Sequence, residues 1–214
     1  VASCSACYVN LRKVEEKVKE DSALLERINQ ALSVDGLTYA GEIRVRHVLD
    51  VIANDVGPET LAANVKHPLE GMRVAPYYGC QTIRPYSPFD SDFYPESMDN
   101  LLTALGVEVY PNLMKAACCG GTLMTTKREV GVKLVSDLLQ AVEGADCIVT
   151  VCPLCQMNLE SYQGLVHKAL GHPVHMPVLY LTQLLGLALD LPQEQLGLKH
   201  NVVPLETKSD EPET

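Results

Sequence analysis

The chain has 214 residues, 47% of them hydrophobic, which is enough to bury a sizeable core in one domain or slightly more. Its formal net charge is −10 and no Lys/Arg cluster stands out, so nucleic acid and anionic lipid are poor partners. No apolar run approaches the roughly 18 residues needed to span a bilayer. The first residues show neither a basic nor an apolar leader pattern, so no membrane insertion and a cytoplasmic location are expected.

In chain order, the first third reads as helical. Leu11, Val14, Val18, Leu25, Ile28 and Leu32 recur at near-helical spacing up to Asp35-Gly36. A second helix is predicted around Ile43 to Val56, closed by Gly57-Pro58, and a short third over Glu59 to Val65. His67 to Gly71 reads as a connector. From Met72 the pattern changes: Met72 to Tyr78 is a buried strand, and Arg84 to Pro95, with three prolines, is a loop. A helix is expected over Ser97 to Leu105, a strand over Val107 to Tyr110, and a helix over Lys127 to Val142. Ala145 to Val151 is a buried strand. Pro153 stands at a favoured first helical position, and that helix runs to about Leu170. Val178 to Tyr180 is a short strand, and Thr182 is the expected cap for a helix over Gln183 to Leu189. The tail after Pro204 is polar and expected to be disordered.

Strands alternating with helices imply an α/β domain with a mostly parallel sheet, preceded by a helical segment. In such sheets ligands sit outside the carboxyl ends of the strands. Cys80 follows one predicted strand, Cys118-Cys119 the next, and Cys152 and Cys155 a third. The five cysteines are therefore expected on one edge, although they span 75 positions.

These cysteines read C-x37-CC-x32-CPxC, with Gly120-Gly121 after the pair. Adjacent cysteines bridge poorly, and the clustered spacing is unlike a disulfide scaffold. Thiolates are metal ligands. A helix start at Pro153 and the two glycines supply backbone N–H groups to anions. A zinc site or an ordinary [4Fe–4S] cluster needs four thiolates, so a fifth means an unusual cluster or a spare redox-active cysteine. There is also a repeat. Val1 to Leu11 aligns with Val149 to Leu159 at an offset of 148, matching Cys4 to Cys152, Cys7 to Cys155, Asn10 to Asn158 and Leu11 to Leu159. The first copy lacks its upstream cysteines, so the chain is expected to be the later part of a two-unit protein.

Blander readings apply elsewhere. Cys147 reads as an inert buried thiol, and His47 as a satisfied structural histidine. His167, His172 and His175 straddle a helix end and a turn. Tyr77 and Tyr78 read as core, with one ring able to flank the cysteines. Arg84 reads as a surface arginine.

Gly79-Cys80, Cys118-Cys119-Gly120 and Cys152-Pro153-x-Cys155 resemble the cysteine-rich CCG domain, and the chain as a whole resembles the B subunit of heterodisulfide reductase. Val45 to Leu49 and Tyr180 to Leu189 support the likeness, which covers Val1 to about Val203. The resemblance implies a helical remainder of a first unit over 1–70, a complete second CCG domain over 71–203 and a tail over 204–214. It implies a noncubane [4Fe–4S] cluster on Cys80, Cys118, Cys119, Cys152 and Cys155, which are then the catalytic and cofactor-binding set. Cys4 and Cys7 become the CxxC part of a first-unit site, for zinc or a second cluster in the full-length protein. The family's His after its lone cysteine is Gln81 here. The implied reaction is two-electron reduction of a mixed disulfide to two thiols; in methanogenesis the substrate is the coenzyme M–coenzyme B heterodisulfide. No GxGxxG nucleotide fingerprint is present, so flavin-containing and ferredoxin-like partner subunits are expected to bring the electrons. The alternative is a noncatalytic electron-relay or zinc-binding module of a sulfur-metabolism or 2-hydroxy-acid-oxidising complex.

Overall fold

The computed structural model describes residues 1–86 and 88–205; the polar tail beyond Leu205 lies outside the described residues. Four parallel strands form one sheet: β1 (Arg73–Tyr77), β2 (Glu108–Val109), β3 (Cys147–Thr150) and β4 (Val178–Tyr180), in the order β2-β1-β3-β4. The helices are α1 (Ser5–Glu20), α2 (Ser22–Leu32), α3 (Val48–Val51), α4 (Pro58–Asn64), α5 (Cys80–Ile83), α6 (Ser97–Ala104), α7 (Arg128–Gln140), α8 (Pro153–Ser161), α9 (Gln163–Leu170), α10 (Leu181–Ala188) and α11 (Gln193–Leu196). The expected α/β class with a parallel sheet is therefore what the chain adopts.

The strands are near-continuous apolar runs because both sheet faces are covered. Side chains alternate along β1 and continue beyond it. Val74 and Tyr78 join a core with Leu101, Leu102 and Leu105 around α6 and with Leu184 and Ala188 of α10. Ala75 and Tyr77 join the opposite core, with Val135 and Leu139 of α7, Leu159 of α8 and Val166 of α9. The result is three layers, helix on sheet on helix. Sequential strands build outward from β1 in both directions, β2 on one side and β3 then β4 on the other. The strand order reverses between β1 and β3, where Tyr77 pairs with Thr150. That gap is where a parallel sheet leaves a crevice at its carboxyl end.

Several predicted elements change at their ends. The first long helix breaks into α1 and α2 because Asp21 turns extended and accepts the Leu24 N–H, capping a new start. The predicted helix from Ile43 begins only at Val48 and widens into a π-type turn over Ile52–Val56. Residues before it stay extended because Glu15 of α1 accepts the Val45 N–H at 2.9 Å and Asn29 exchanges hydrogen bonds with the Tyr39 backbone. The helix after Pro153 breaks at Tyr162, and the Gln163 side chain clamps both the N–H and the C=O of Met176. Thr182 does not cap α10. The helix begins at Leu181, and Gln183 reaches back to accept the Tyr180 N–H at 2.9 Å.

The N-terminal segment is pinned to the rest. Ala2 donates to the Arg46 carbonyl and accepts from the Val48 N–H, each at 2.8 Å. Glu15 is 2% exposed, yet it is ionised: burial opposes its charge, but hydrogen bonds from Lys19, the Val45 N–H and Arg12 hold the carboxyl down at about 2. His47 is fully buried, and burial pushes its imidazole down to about 4.

This packing has two measurable effects on stability. Lys115 is 1% exposed and its Nζ lies 2.7 Å from Asp99 Oδ1 and 3.8 Å from the centre of the Tyr94 ring. Asp99→Ala strands that ammonium and should cost about 3–5 kcal/mol in denaturant unfolding, whereas Asp99→Ala with Lys115→Met should recover part of the loss. A neutral buried His47 stabilises the fold fully above its unfolded value near 6.5, and that contribution is lost as pH falls, because the unfolded chain takes the proton first. Stability should drop by about 2 kcal/mol between pH 7 and pH 5, before the carboxylates titrate. In His47→Gln the drop over this window should vanish.

Candidate metal centre

Cys80 opens α5 directly after β1, with Gly79 as its N-cap at φ +71°. Cys118 and Cys119 lie in the connection between β2 and α7. Cys152 is the N-cap of α8 after β3, and Cys155 lies in the first turn of that helix. All five border one cavity, together with Ser5, Tyr78, Gln81, Gly121, Thr122 and Leu154. The convergence expected from strand order is thus present in the geometry. Cys119, Cys152 and Cys155 are buried; Cys80 is partly exposed and Cys118 is exposed, so the cavity opens on their side. Among the described residues no cysteine is held in a disulfide.

The Cys155 thiol is shared between the Cys119 and Cys152 sulfurs, and these hydrogen bonds raise its own value while lowering theirs. Cys152 falls to about 5, led by Cys155 and helped by the Ser5 hydroxyl and the N–H groups of Cys155 and Leu154. Cys119 is lowered by Cys155, against burial, with help from the Gly121 N–H and the Asn158 amide. Burial and the nearby Cys118 sulfur raise Cys80. Gly120 N–H points at Cys118 Sγ at 3.3 Å. Among the described residues no Lys or Arg lines the cavity. Backbone amides and a hydroxyl therefore do what cations do in other thiolate sites.

This donor set fits a multi-iron thiolate group. A Cβ added to Gly79 would stand 3.0 Å from Cys155 Sγ, and one added to Gly121 would stand 3.0 Å from Leu154 Cγ, so both glycines keep the cradle clear. Among the described residues no three His, Cys, Asp or Glu side chains are drawn together to hold a single metal ion. All five cysteines nonetheless line one cavity.

The other sequence candidates fall in different places. Cys4 is the N-cap of α1 and Cys7 is exposed in its first turn, where a hydrogen bond donated to Cys4 raises the Cys7 value. This pair lies outside the cavity wall, and Ser5 between them faces in. Cys147 is fully buried in β3, and burial pushes it up to about 12. Tyr77 flanks the cysteines: its hydroxyl donates to the Ala117 carbonyl at 2.8 Å, and burial and then Cys155 lead the rise in its value. Tyr78 borders the cavity from the other sheet face and donates to Asp99 at 2.6 Å. The Arg84 guanidinium is committed to the carbonyls of Asp92 and Ala116 at 2.7 and 2.6 Å. The His172 ring faces the Pro173 carbonyl, and none of His167, His172 and His175 lines the five-cysteine cavity.

Sequence reading passes over Ser5, Thr82 and the role of Asn158. Asn158 is fully buried and donates to the Cys119 carbonyl at 2.6 Å, tying α8 to the adjacent-cysteine turn. Its match to Asn10 in the repeat is the available signal. Ser5 and Thr82 carry none, because each acts through a contact distant in sequence.

Comparison with known proteins agrees with this arrangement. Residues 74–160 match the CCG cysteine-rich domain. The chain is 36% identical over 207 residues to the 8-methylmenaquinol:fumarate reductase membrane anchor subunit of Wolinella succinogenes, covering 95% of this chain and 72% of that protein. It is 30% identical over 206 residues to the B subunit of the ferredoxin/F(420)H(2)-dependent CoB-CoM heterodisulfide reductase of Methanosarcina acetivorans, covering 94% and 68%. It is 31% identical over 207 residues to an Archaeoglobus profundus protein described as like the heterodisulfide reductase B subunit, covering 92% and 69%. A crystal structure of a hypothetical protein from Helicobacter pylori shares the fold, with a TM-score of 0.72 and 16% identity over 94% of this chain, which spans 37% of that one. On its fold, its cysteine spacing and these relatives, the chain belongs to the cysteine-rich CCG-domain family of heterodisulfide reductase B subunits.

Proposed function

We propose that the chain is the iron–sulfur subunit of a heterodisulfide reductase-type oxidoreductase, with a noncubane [4Fe–4S] cluster held by Cys80, Cys118, Cys119, Cys152 and Cys155. The observation that carries the reading is the convergence of these five cysteines on one cavity at the β1/β3 crevice. When bound, such a group supplies electrons one at a time, while a disulfide takes two to become two thiols. The chain's own residues do the rest. The backbone N–H groups of Gly120, Gly121, Leu154 and Cys155 offset the sulfurs' negative charge. Leu154 and Tyr78 give the cavity apolar walls, while Gln81 and Thr122 give it polar ones. The exposed Cys118 side is where a small disulfide would enter. Flavin-containing and ferredoxin-like subunits would deliver the electrons, in a cytoplasmic compartment that keeps thiols reduced. Among the described residues no helix is long and apolar enough to cross a membrane. Cys4 and Cys7 are proposed as part of a separate site, for zinc or a second cluster.

A second reading has a specific support. The Wolinella succinogenes relative is named for a quinol:fumarate reductase. An electron-relay subunit, with the same ligands and no disulfide chemistry, fits that name.

Anaerobic purification and reconstitution test both. Cys119→Ala should lose most of its iron and the broad visible absorption of an iron–sulfur protein, while Cys147→Ala should keep both at the wild-type level. Equal losses in the two variants would sink the ligand assignment. A loaded protein that reduces no small disulfide when given a chemical reductant favours the relay.

A further inference from the structure

A second crevice opens at the carboxyl end of the sheet, one strand along from the cysteines. Thr150 ends β3 opposite Tyr180, the last residue of β4. Beyond them the helices part. Leu159 of α8 joins the core on one sheet face, and Leu184 and Ala188 of α10 join the core on the other. Helices leaving neighbouring strands toward opposite faces open a gap between the strand ends, where parallel sheets bind ligands. Here the gap is a cavity of about 220 Å³, bounded by the apolar Val48, Ile52, Val151 and Leu181 and by Thr150 and Tyr180.

Two independent features mark it as a ligand site. Ile52 opens the π-type turn Ile52–Val56, a rare form that gathers at functional sites. Thr150 is fully buried, and its hydroxyl has no hydrogen-bond partner among the described residues. A buried hydroxyl without a partner is costly, and in a cavity wall a ligand can relieve it. The start of α10 adds donors, because the N–H groups of Leu181 and Thr182 have no carbonyl one turn back. No charged side chain borders the cavity among the described residues. Apolar, uncharged walls with a few donors suit an uncharged ring bearing a carbonyl oxygen, and the volume suits one or two fused rings. We propose that this crevice binds a carbonyl compound of the quinone class, whose oxygen accepts from the Thr150 hydroxyl. Val151 and Pro153 border this cavity, while Cys152 between them borders the five-cysteine cavity. A ring bound here sits behind the stretch of chain that carries a thiolate. The choice of a quinone, the electron-exchanging member of its class, rests on the metal-centre reading; the pocket itself does not.

The probe is duroquinone, whose ring is fully methylated and leaves thiols no free position to add. Binding to the reconstituted protein is measured anaerobically by equilibrium dialysis, in wild type, Thr150→Val, Thr150→Ser and Ile52→Phe. Wild type should bind one duroquinone per chain. Thr150→Val keeps the shape and loses the hydroxyl, so affinity should fall roughly three- to tenfold, the scale of one hydrogen bond. Its urea midpoint should not fall, since the lost hydroxyl had no partner, so weaker binding is not a loss of fold. Thr150→Ser should stay near wild type, and Ile52→Phe should fill the cavity and abolish binding. Durene, the same ring without oxygens, should bind more weakly than duroquinone and be indifferent to Thr150→Val. The proposal is overturned by no saturable binding, by unchanged affinity in Thr150→Val, by durene binding as tightly as duroquinone, or by the dianion succinate binding more tightly. If Ile52→Phe does not fold, the two Thr150 variants decide. If the chain takes up no iron, the metal-centre reading falls, and the same measurements on the thiol form decide the pocket.

Discussion

The pairing of β1 with β3 is the constraint from which the rest follows. Tyr77 lies opposite Thr150, so both strands end at the same level, one leading to Gly79-Cys80 and the other to Cys152. Because the connections leave these strands in opposite directions, no backbone crosses the space between their ends. Cysteines distant in sequence are thereby set on facing walls of one crevice. The third contribution, Cys118-Cys119, enters from the β2 side and is tied down by Asn158 of α8. Two separate attachments thus hold that turn, since the Lys115 carbonyl also accepts the N–H groups of Tyr78 and Gly79.

Charge is handled by position in the backbone. A site of several thiolates in a chain of net charge −10 would ordinarily call for lysines or arginines. Here the nearby Lys115 is turned away, held by Asp99 and Tyr94, and Arg84 serves two backbone carbonyls. The start of α8 and the glycine turn at Gly120-Gly121 supply N–H donors instead, with Gly120 at φ +74° letting the turn close. The cost falls on sequence freedom: a side chain at Gly79 would press on Cys155, and one at Gly120 would meet Leu134 at 2.9 Å.

The sheet and the cysteine edge were legible in the sequence because each rests on a local signal. Strands buried on both faces are continuous apolar runs, so Met72 to Tyr78 and Ala145 to Val151 bracket β1 and β3 within about a residue or two. The cysteine set is a spacing, and a spacing survives whatever the loops do. The breaks at Asp21 and Tyr162 were not legible, since the apolar period continues through both. At Tyr162 the decisive contact is Gln163 with Met176, 13 residues on. The extended stretch before His47 likewise depends on Glu15, 30 residues earlier. Ser5 escaped notice because its neighbours in sequence are cysteines of one group while its side chain lines the cavity of the other.

The reliance on amides in place of cations has a consequence for how the centre senses its surroundings. Mobile ions screen charges that face water over about 8–10 Å, and they weaken surface pairs most. The N–H groups around Cys119 and Cys152 are fixed by covalent geometry beneath the surface and cannot be competed away by dissolved anions. Ionic strength therefore acts strongly on the acidic exterior, where other molecules approach, and weakly on the sulfurs. Docking and chemistry are governed by two different electrostatic regimes within one small domain.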